Sequence, residues 1–353
     1  MNPPAADPLG HGVLAARLGA IPGYLREMAS SAAGFQARSF APGESFLVTG
    51  IGSSEAHARF LTWELNRSGT VRAEFVPLAA MDSSAGFDAA GRTLVLFSQG
   101  LSRNVRLVLD QRARFSRTVL FTASTTQGLL TAGQRERGDL LSALQSEDAE
   151  IVRFPLEQEY EILIRVIGPA CGFLAVRLWV DSLRGANGSA PSIETLSAMV
   201  SAEEDGLASF LETHAAAGAT GLRLLAPPAL AQFGQNLVCK AVEGLFWSPP
   251  QLLDFLSFAH GPFQQLAARP APVMILRPTH DLQQAGLADR ALAMCRSIGL
   301  PVHVIPLNAP AGWEVVESEL RFNRALLPLV RLLGVNQRDW PGRGADAPLY
   351  AYP

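Results

Sequence analysis

Apolar residues fall into short β-rich runs separated by stretches with helical spacing. A lead-in over 12–34 places Leu14, Leu18, Ile21 and Leu25 on one helical face. The run Ser45–Phe46–Leu47–Val48–Thr49 then reads as a strand ending at Gly50, and a helix from Ser53 carries Ala56, Phe60, Leu61 and Leu65. Strands are predicted at 71–75, 93–97, 118–121 and 150–154, with a helix from Ser102 to about Arg114. Two long helical patterns follow, 159–183 and 192–214. The first contains Gly168–Pro169, which predicts a kink, and 184–189 between them reads as a linker. The theme then repeats: strands at 222–225, 273–276 and 302–305, and helices at 229–243, 281–298 and 314–333. Strands alternating with helices predict an α/β chain of two tandem, doubly wound (flavodoxin-like) parallel-sheet lobes with flanking helices. The expected boundaries are a helical lead-in over 1–44, lobes over 45–185 and 186–335, and a tail over 336–353.

With 353 residues, 48% of them apolar, the chain is long enough for two domains with separate cores. A formal net charge of −3 offers neither a nucleic-acid stripe nor a polybasic membrane patch. The most apolar stretch, 162–180, is broken by Arg165 and Arg177, so it predicts a buried helix and not a membrane span. Cys171, Cys239 and Cys295 are too scattered for a disulfide framework or a zinc cluster. The polar, proline-rich start is unlike a signal peptide, and the expectation is a reduced, cytoplasmic protein without a metal or other cofactor. Lys240 is the only lysine among 29 basic residues. Where arginine has replaced every other lysine, the survivor's tunable ammonium invites a role.

In the flavodoxin-like strand order 2-1-3-4-5, ligands bind at the carboxyl ends of the first and third strands. The first ends in Gly50–Ile51–Gly52–Ser53–Ser54 and the third in Ser98–Gln99–Gly100–Leu101–Ser102. Glycines let backbone N–H groups approach a ligand, and two helix N-termini bearing hydroxyls suit a phosphate dianion. Helix capping is the commoner use of serines such as Ser54 and Ser102, but both loops meeting at one switch point favours the anion site. The equivalent turn of the second lobe, Ala226–Pro227–Pro228–Ala229, has no glycine. A dinucleotide fingerprint fails because Glu55 stands where a small residue is needed, a nucleophile elbow lacks its second glycine, and Walker A is absent.

Lys240 and Glu243 lie three apart on one helix face, with Gly244 as the expected C-cap. At that end the helix dipole and partial burial both raise a carboxyl pKa, as a general base working near neutrality requires. A solvated Lys240–Glu243 ion pair is the equally weighted alternative. His260, in His260–Gly261–Pro262, is held on a rigid turn and can exchange protons with a hydroxyl, whereas His57, His214, His280 and His303 read as structural.

These residues resemble the sugar isomerase (SIS) domain family, over roughly residues 45–335, and in particular the isomerase half of glucosamine-6-phosphate synthase. Gly52–Ser53–Ser54 is similar to the family's Gly-Thr-Ser turn. Ser98–Gln99–Gly100–Leu101–Ser102 is similar to its Ser-Gln-Ser-Gly-Glu-Thr phosphate loop with one residue deleted, Ser102 taking the threonine's place and Asn104 that of a following aspartate. Lys240–Ala241–Val242–Glu243 before His260–Gly261–Pro262 resembles its Lys-x-x-Glu and His-Gly-Pro, the interval being one residue longer. The resemblance implies a phosphosugar isomerase or deaminase acting on a sugar phosphate or amino-sugar phosphate. Gly52, Ser53, Ser54, Ser98, Gln99, Gly100 and Ser102 would hold the phosphate, Glu243 would move a proton between C1 and C2, Lys240 would support that step and His260 would assist ring opening. It also implies a homodimer, because the family's histidine can come from a neighbouring subunit. The loop has lost a serine and its acidic residue, the tail at 346–353 lacks the family's lysine, and the expectation is a chain without the synthase's glutaminase portion. These departures motivate the alternative of a non-catalytic sugar-phosphate-binding regulatory protein.

Overall fold

The structure is a computed structural model, and it describes residues 7–30, 40, 43–81, 88–156, 159–184 and 206–350. The expected linker at 185–189 and most of the helical pattern at 192–214 lie outside the described residues. The chain divides into two compact units that are not contiguous in sequence. One comprises the described residues within Gly23–Glu159, Ile167–Ala190 and Pro341–Pro353; the other comprises those within Met1–Pro22, Tyr160–Val166 and Pro191–Trp340.

The first unit is built on a five-stranded, all-parallel sheet of order β2-β1-β3-β4-β5. Its strands are β1 (Ser45–Thr49), β2 (Arg72–Phe75), β3 (Arg92–Phe97), β4 (Arg117–Thr122) and β5 (Glu150–Arg153). In chain order α1 (His11–Ser30) comes before them, its residues up to Pro22 being counted with the other unit, α2 (Ser53–Arg67) joins β1 to β2, and α3 (Arg135–Ser146) lies between β4 and β5. Because strand side chains alternate between faces, Leu47, Leu94, Leu96 and Leu120 share one core with Leu101, Val105, Val108 and Leu141. The order reverses between β1 and β3, so the loops after those two strands flank the switch point as the sequence predicts.

Helix α4 (Ile167–Leu183) is buried from Ile167 through Asp181, in accord with the apolar stretch. Its one arginine, Arg177, is buried and donates to Glu64 (2.7 Å) and Asp181 (2.6 Å), satisfying a charge that an apolar helix could not otherwise bury. Two expectations are corrected here. Residues 159–166 are not helical, and Pro169 introduces no kink: it sits in the first turn, where an N–H has no intrahelical acceptor anyway.

The second unit repeats the topology with one strand fewer, in the order β7-β6-β8-β9. The strands are β6 (Arg223–Ala226), β7 (Gln251–Asp254), β8 (Val273–Pro278) and β9 (Val302–Leu307). The main helices are α5 (Gln235–Leu245), α6 (Leu282–Ser297) and α7 (Glu314–Leu332). Leu225, Phe258, Val273, Ile275, Ala291 and Cys295 form the core beneath α6. Edge strand β7 went unpredicted because Pro249–Pro250 reads as a break; proline, however, is tolerated just before an edge strand. The helix expected over 229–243 is two helices, Pro228–Phe233 and α5, broken at Gly234. A Cβ at Gly234 would stand 2.6 Å from the Leu230 carbonyl oxygen and 2.9 Å from Leu252, so glycine lets the chain turn tightly against β7.

Candidate functional site

At the carboxyl end of β1, Gly50 makes the turn possible: a Cβ there would lie 2.5 Å from the carbonyl oxygen of Ser54. Gly52 follows at φ 62°, in the left-handed region that glycine adopts without steric cost, and caps α2. Ser53 and Ser54 form the first turn of α2, and neither side chain caps the helix. The Glu55 carboxylate beside them is taken up by Arg59 at 2.8 Å.

The loop after β3 is held by different means. The Gln99 carbonyl accepts from the hydroxyls of Thr122 (3.1 Å) and Ser124 (3.3 Å) and from the Ala123 N–H (3.0 Å). Leu101 then adopts φ 49°, costly for a branched side chain, and is held there by packing into the core. The helix expected over 102–114 is corrected to three short pieces: 3-10 turns at Arg103–Val105 and Arg112–Arg114 around one α-turn, Arg106–Leu109. The Gln111 amide bonds the Met81 and Leu107 carbonyls, and Arg112 bonds that of Leu109, which competes with helix continuation. Of the two switch-point loops, that after β1 therefore opens into a long helix and that after β3 does not.

Ser102 occupies an N-cap position but makes no side-chain cap bond. Among the described residues, the hydroxyls of Ser53, Ser54, Ser98 and Ser102 have no intramolecular hydrogen-bond partner, so capping does not account for them. Gln99 is placed differently: its Nε2 donates to Glu159 Oε2 at 3.3 Å, and its amide lies where a Cβ on Gly168 would stand.

Glu159 is a residue that sequence reasoning missed. Fully buried, its carboxylate accepts from the Ile167 N–H (2.7 Å) and the Gly168 N–H (2.9 Å), closing the first turn of α4 while orienting Gln99. Lying eight residues before its nearer target, it has no capping-box spacing that could have revealed it.

In the second unit, Lys240 and Glu243 share α5 but do not pair as the i, i+3 spacing suggests. Lys240, 2% exposed, donates to Glu319 Oε1 of α7 (2.8 Å) and to the Arg165 carbonyl (2.7 Å). Glu319 also accepts from Asn236 and Asn323, the latter at 3.0 Å, so two i, i+4 pairs on facing helices enclose one ion pair. Burial pushes the Glu319 carboxyl up, opposed by the Lys240 ammonium and the two amides.

Glu243 is half-buried in the last turn of α5. Burial pushes its carboxyl above the ordinary range, while the charges of Arg165 and Lys240 pull it back. Gly244 is not the C-cap; it lies inside α5, where a Cβ would meet Ile164 at 2.6 Å, and Phe246 at φ 53° closes the helix. His260 is exposed at the end of the short helix Phe255–Ala259, whose first turn is capped by Asp254. Gly261 (φ 112°) and Pro262 then begin the next helix. Among the described residues no side chain hydrogen-bonds the His260 ring. The other histidines are engaged: the His57 ring with the Pro169 carbonyl (2.9 Å), that of His280 with the Asn308 carbonyl (2.7 Å), and His303 stacks on Phe210.

A cavity of about 520 Å³ lies at the other end of the first sheet, beside Arg117 and Ala149. Its charges are engaged in pairs, Arg112 with Glu147 and Arg117 with Glu150, and it sits at the amino ends of the strands, the wrong end for a ligand in this topology.

No protein-family model and no curated protein matches the chain. Solved structures do. A candidate phosphosugar isomerase from Silicibacter pomeroyi aligns with TM-score 0.71 at 14% identity, over 92% of this chain and 98% of its own. The C-terminal domain of glucosamine-fructose-6-phosphate aminotransferase from Francisella tularensis aligns with TM-score 0.66 at 9% identity, covering 93% and 98%. The chain has the tandem SIS fold. Glucosamine-6-phosphate deaminase from Thermotoga maritima shares that fold with TM-score 0.63 and 15% identity, over 93% of this chain and 96% of the deaminase. At such identities the likeness extends to the fold alone, two parallel-sheet lobes with the strand orders described above. Among the described residues no helix is long and apolar enough to cross a membrane.

Proposed function

We propose that this tandem-SIS protein is a phosphosugar isomerase, an aldose–ketose isomerase or deaminase acting on a sugar phosphate or amino-sugar phosphate, and that it works as a homodimer. The observation carrying the reading is the set of four serine hydroxyls, Ser53, Ser54, Ser98 and Ser102, at the β1/β3 switch point without partners among the described residues. Hydroxyls and first-turn N–H groups at the start of α2 are donors of the kind a phosphate dianion requires. In this reading Gly52 and Gly100 keep the backbone close to the phosphate, and Gln99, oriented by Glu159, adds an amide donor. Phosphate anchoring supplies remote binding energy that orients the sugar for proton transfer.

Glu243 is the general base. Its carboxylate takes the proton from the carbon beside the carbonyl and returns it to the neighbouring carbon, which interconverts aldose and ketose through an enediol; its raised carboxyl suits that exchange. Lys240, with its ammonium committed to Glu319 and the Arg165 carbonyl, acts by holding α5 and not by touching substrate. The exposed ring of His260 suits a role in ring opening at a neighbouring copy's site.

The test is solvent deuterium incorporation into fructose 6-phosphate. Glu243→Gln is expected to abolish incorporation while leaving affinity nearly unchanged. In the unsubstituted protein, incorporation rises with pH through a midpoint above the ordinary carboxylate range, because only the ionised form is a base. Incorporation that survives in Glu243→Gln overturns the assignment. Binding without incorporation in the unsubstituted protein supports a regulatory sugar-phosphate binder instead, a reading favoured by the missing full-length helix after Ser102.

A further inference from the structure

Gln99, in the loop after β3, is held at both ends. Its main-chain carbonyl accepts from the Thr122 and Ser124 hydroxyls and the Ala123 N–H, and its side-chain nitrogen donates to Glu159 at 3.3 Å. The side chain crosses to the first turn of α4, where Gly168 has no Cβ. A Cβ there would stand 2.2 Å from Gln99 Oε1, 2.5 Å from Cδ and 2.6 Å from Nε2, so the whole amide rests in the space a side chain would fill. Helix α2 meets the same turn: the His57 ring bonds the Pro169 carbonyl (2.9 Å) and occupies the space over Gly172. The Gln99 amide therefore lies where the first turns of α2 and α4 come together, beside the end of α2 that carries Ser53 and Ser54.

Glu159 decides which way that amide faces. Its Oε1 accepts from the Ile167 N–H and its Oε2 from the Gly168 N–H, so both oxygens are in the accepting role and only the nitrogen end of an amide can face them. One N–H of Gln99 Nε2 is thereby committed, and the other is the donor counted toward the phosphate. Gln99 Oε1 is left without a hydrogen-bond partner among the described residues. An amide oxygen only accepts, and so do the oxygens of a phosphate dianion; the two do not pair. The Glu159 carboxylate beside the amide likewise disfavours an anion there. What this oxygen fits is an O–H.

We propose that Gln99 is a specificity-determining residue, with Glu159 and Gly168 as its positioning residues: seated on Gly168 and turned by Glu159, the amide presents Oε1 to a hydroxyl that the ligand carries near its phosphate. The ligand class is then a hydroxylated phosphate ester, set apart from a simple alkyl phosphate. The proposal rests on the reading of the β1/β3 switch point as a phosphosugar site, and it adds what that site requires besides the phosphate. A hydroxylated ligand satisfies the oxygen. An alkyl ligand covers it and leaves it unpaired, and a site rejects a ligand for that kind of mismatch more sharply than for a missing apolar contact.

The test titrates the full-length chain calorimetrically with fructose 6-phosphate and with propyl phosphate, and reads the ratio of the two dissociation constants. The unsubstituted chain is expected to prefer the sugar phosphate. Gln99→Met removes the oxygen at nearly the same side-chain length and should reduce that preference about 3- to 10-fold, the range of one hydrogen bond. Glu159→Gln offers the Gln99 amide a partner that donates as well as accepts, and Gly168→Ala pushes a Cβ into its seat; each should reduce the preference in the same direction. A purely structural role would lower stability and leave the ratio alone. A ratio unmoved in Gln99→Met overturns the proposal. A ratio reduced there but unmoved in both Glu159→Gln and Gly168→Ala overturns the positioning roles, and Glu159→Gln decides that arm alone if Gly168→Ala does not fold. Failure of the underlying reading shows before any substitution is made: the unsubstituted chain then binds neither ligand, which overturns both.

Discussion

Replacing Lys240 by methionine removes one charge from an ion pair whose side chains are 2% and 1% exposed. Methionine matches the lysine stem in length and keeps most of its packing against α7, so the loss is chiefly electrostatic. It leaves the Glu319 carboxylate buried with two amide donors and no cation, and leaves the Arg165 carbonyl without its donor. Breaking a buried pair from one side costs about 3–5 kcal/mol. At roughly 2–4 °C per kcal/mol for a cooperative unit of this size, the transition of the second unit should fall by about 6–20 °C. The pH dependence separates charge from packing. Glu319 in the folded variant has a carboxyl raised above its unfolded value, so folding takes up protons. The stability this contributes is fully present below the unfolded pKa, near 4.3, and is lost as pH rises toward the folded value. The penalty is therefore large at pH 7.5 and smaller at pH 5. Thermal and urea unfolding, followed by tryptophan fluorescence at both pH values, measure it, and the double variant Lys240→Met with Glu319→Leu should recover most of the loss. A penalty below about 1 kcal/mol, or one equal at both pH values, refutes the assignment of Lys240 to a buried electrostatic role.

Two further outcomes concern the first unit. Gly50→Ala forces a Cβ to within 2.5 Å of a backbone oxygen, which cannot rotate away; it should cost about 1–3 kcal/mol in thermal denaturation and abolish the protection that fructose 6-phosphate gives against unfolding. Glu159→Gln replaces a charged acceptor of two first-turn N–H groups and should cost about 1.5–3 kcal/mol by chemical denaturation, with faster hydrogen exchange at Ile167 and Gly168.

Hydrophobic periodicity determined most of this molecule. Strand β1 falls where the run of residues 45–49 places it, eight of the nine strands among the described residues are predicted within two residues at either end, and the alternation with helices fixes two doubly wound lobes. The reason is that burial of alternate or every third-to-fourth side chain is a local property, written residue by residue. Glycines at 50 and 52 were legible for the same reason, since a turn that tight admits little else.

What depended on distant neighbours was not legible. Lys240 and Glu243 look like a surface pair on their helix, but Glu319, 79 positions after the lysine, claims it. Gly244 looks like a helix stop and is instead the gap that receives Ile164. The break-up of the 102–114 helix follows from Gln111 and Arg112 reaching carbonyls around them, and Leu101 takes a left-handed turn beside a glycine because its side chain is wanted in the core. Gln337 shows no motif at all, yet its side chain joins the Ile164 N–H to the Glu243 carbonyl. Sequence fixes which stretches can bury a face; which polar groups meet once those faces are buried is a matter of geometry between segments far apart in the chain, decided only when the whole unit has folded.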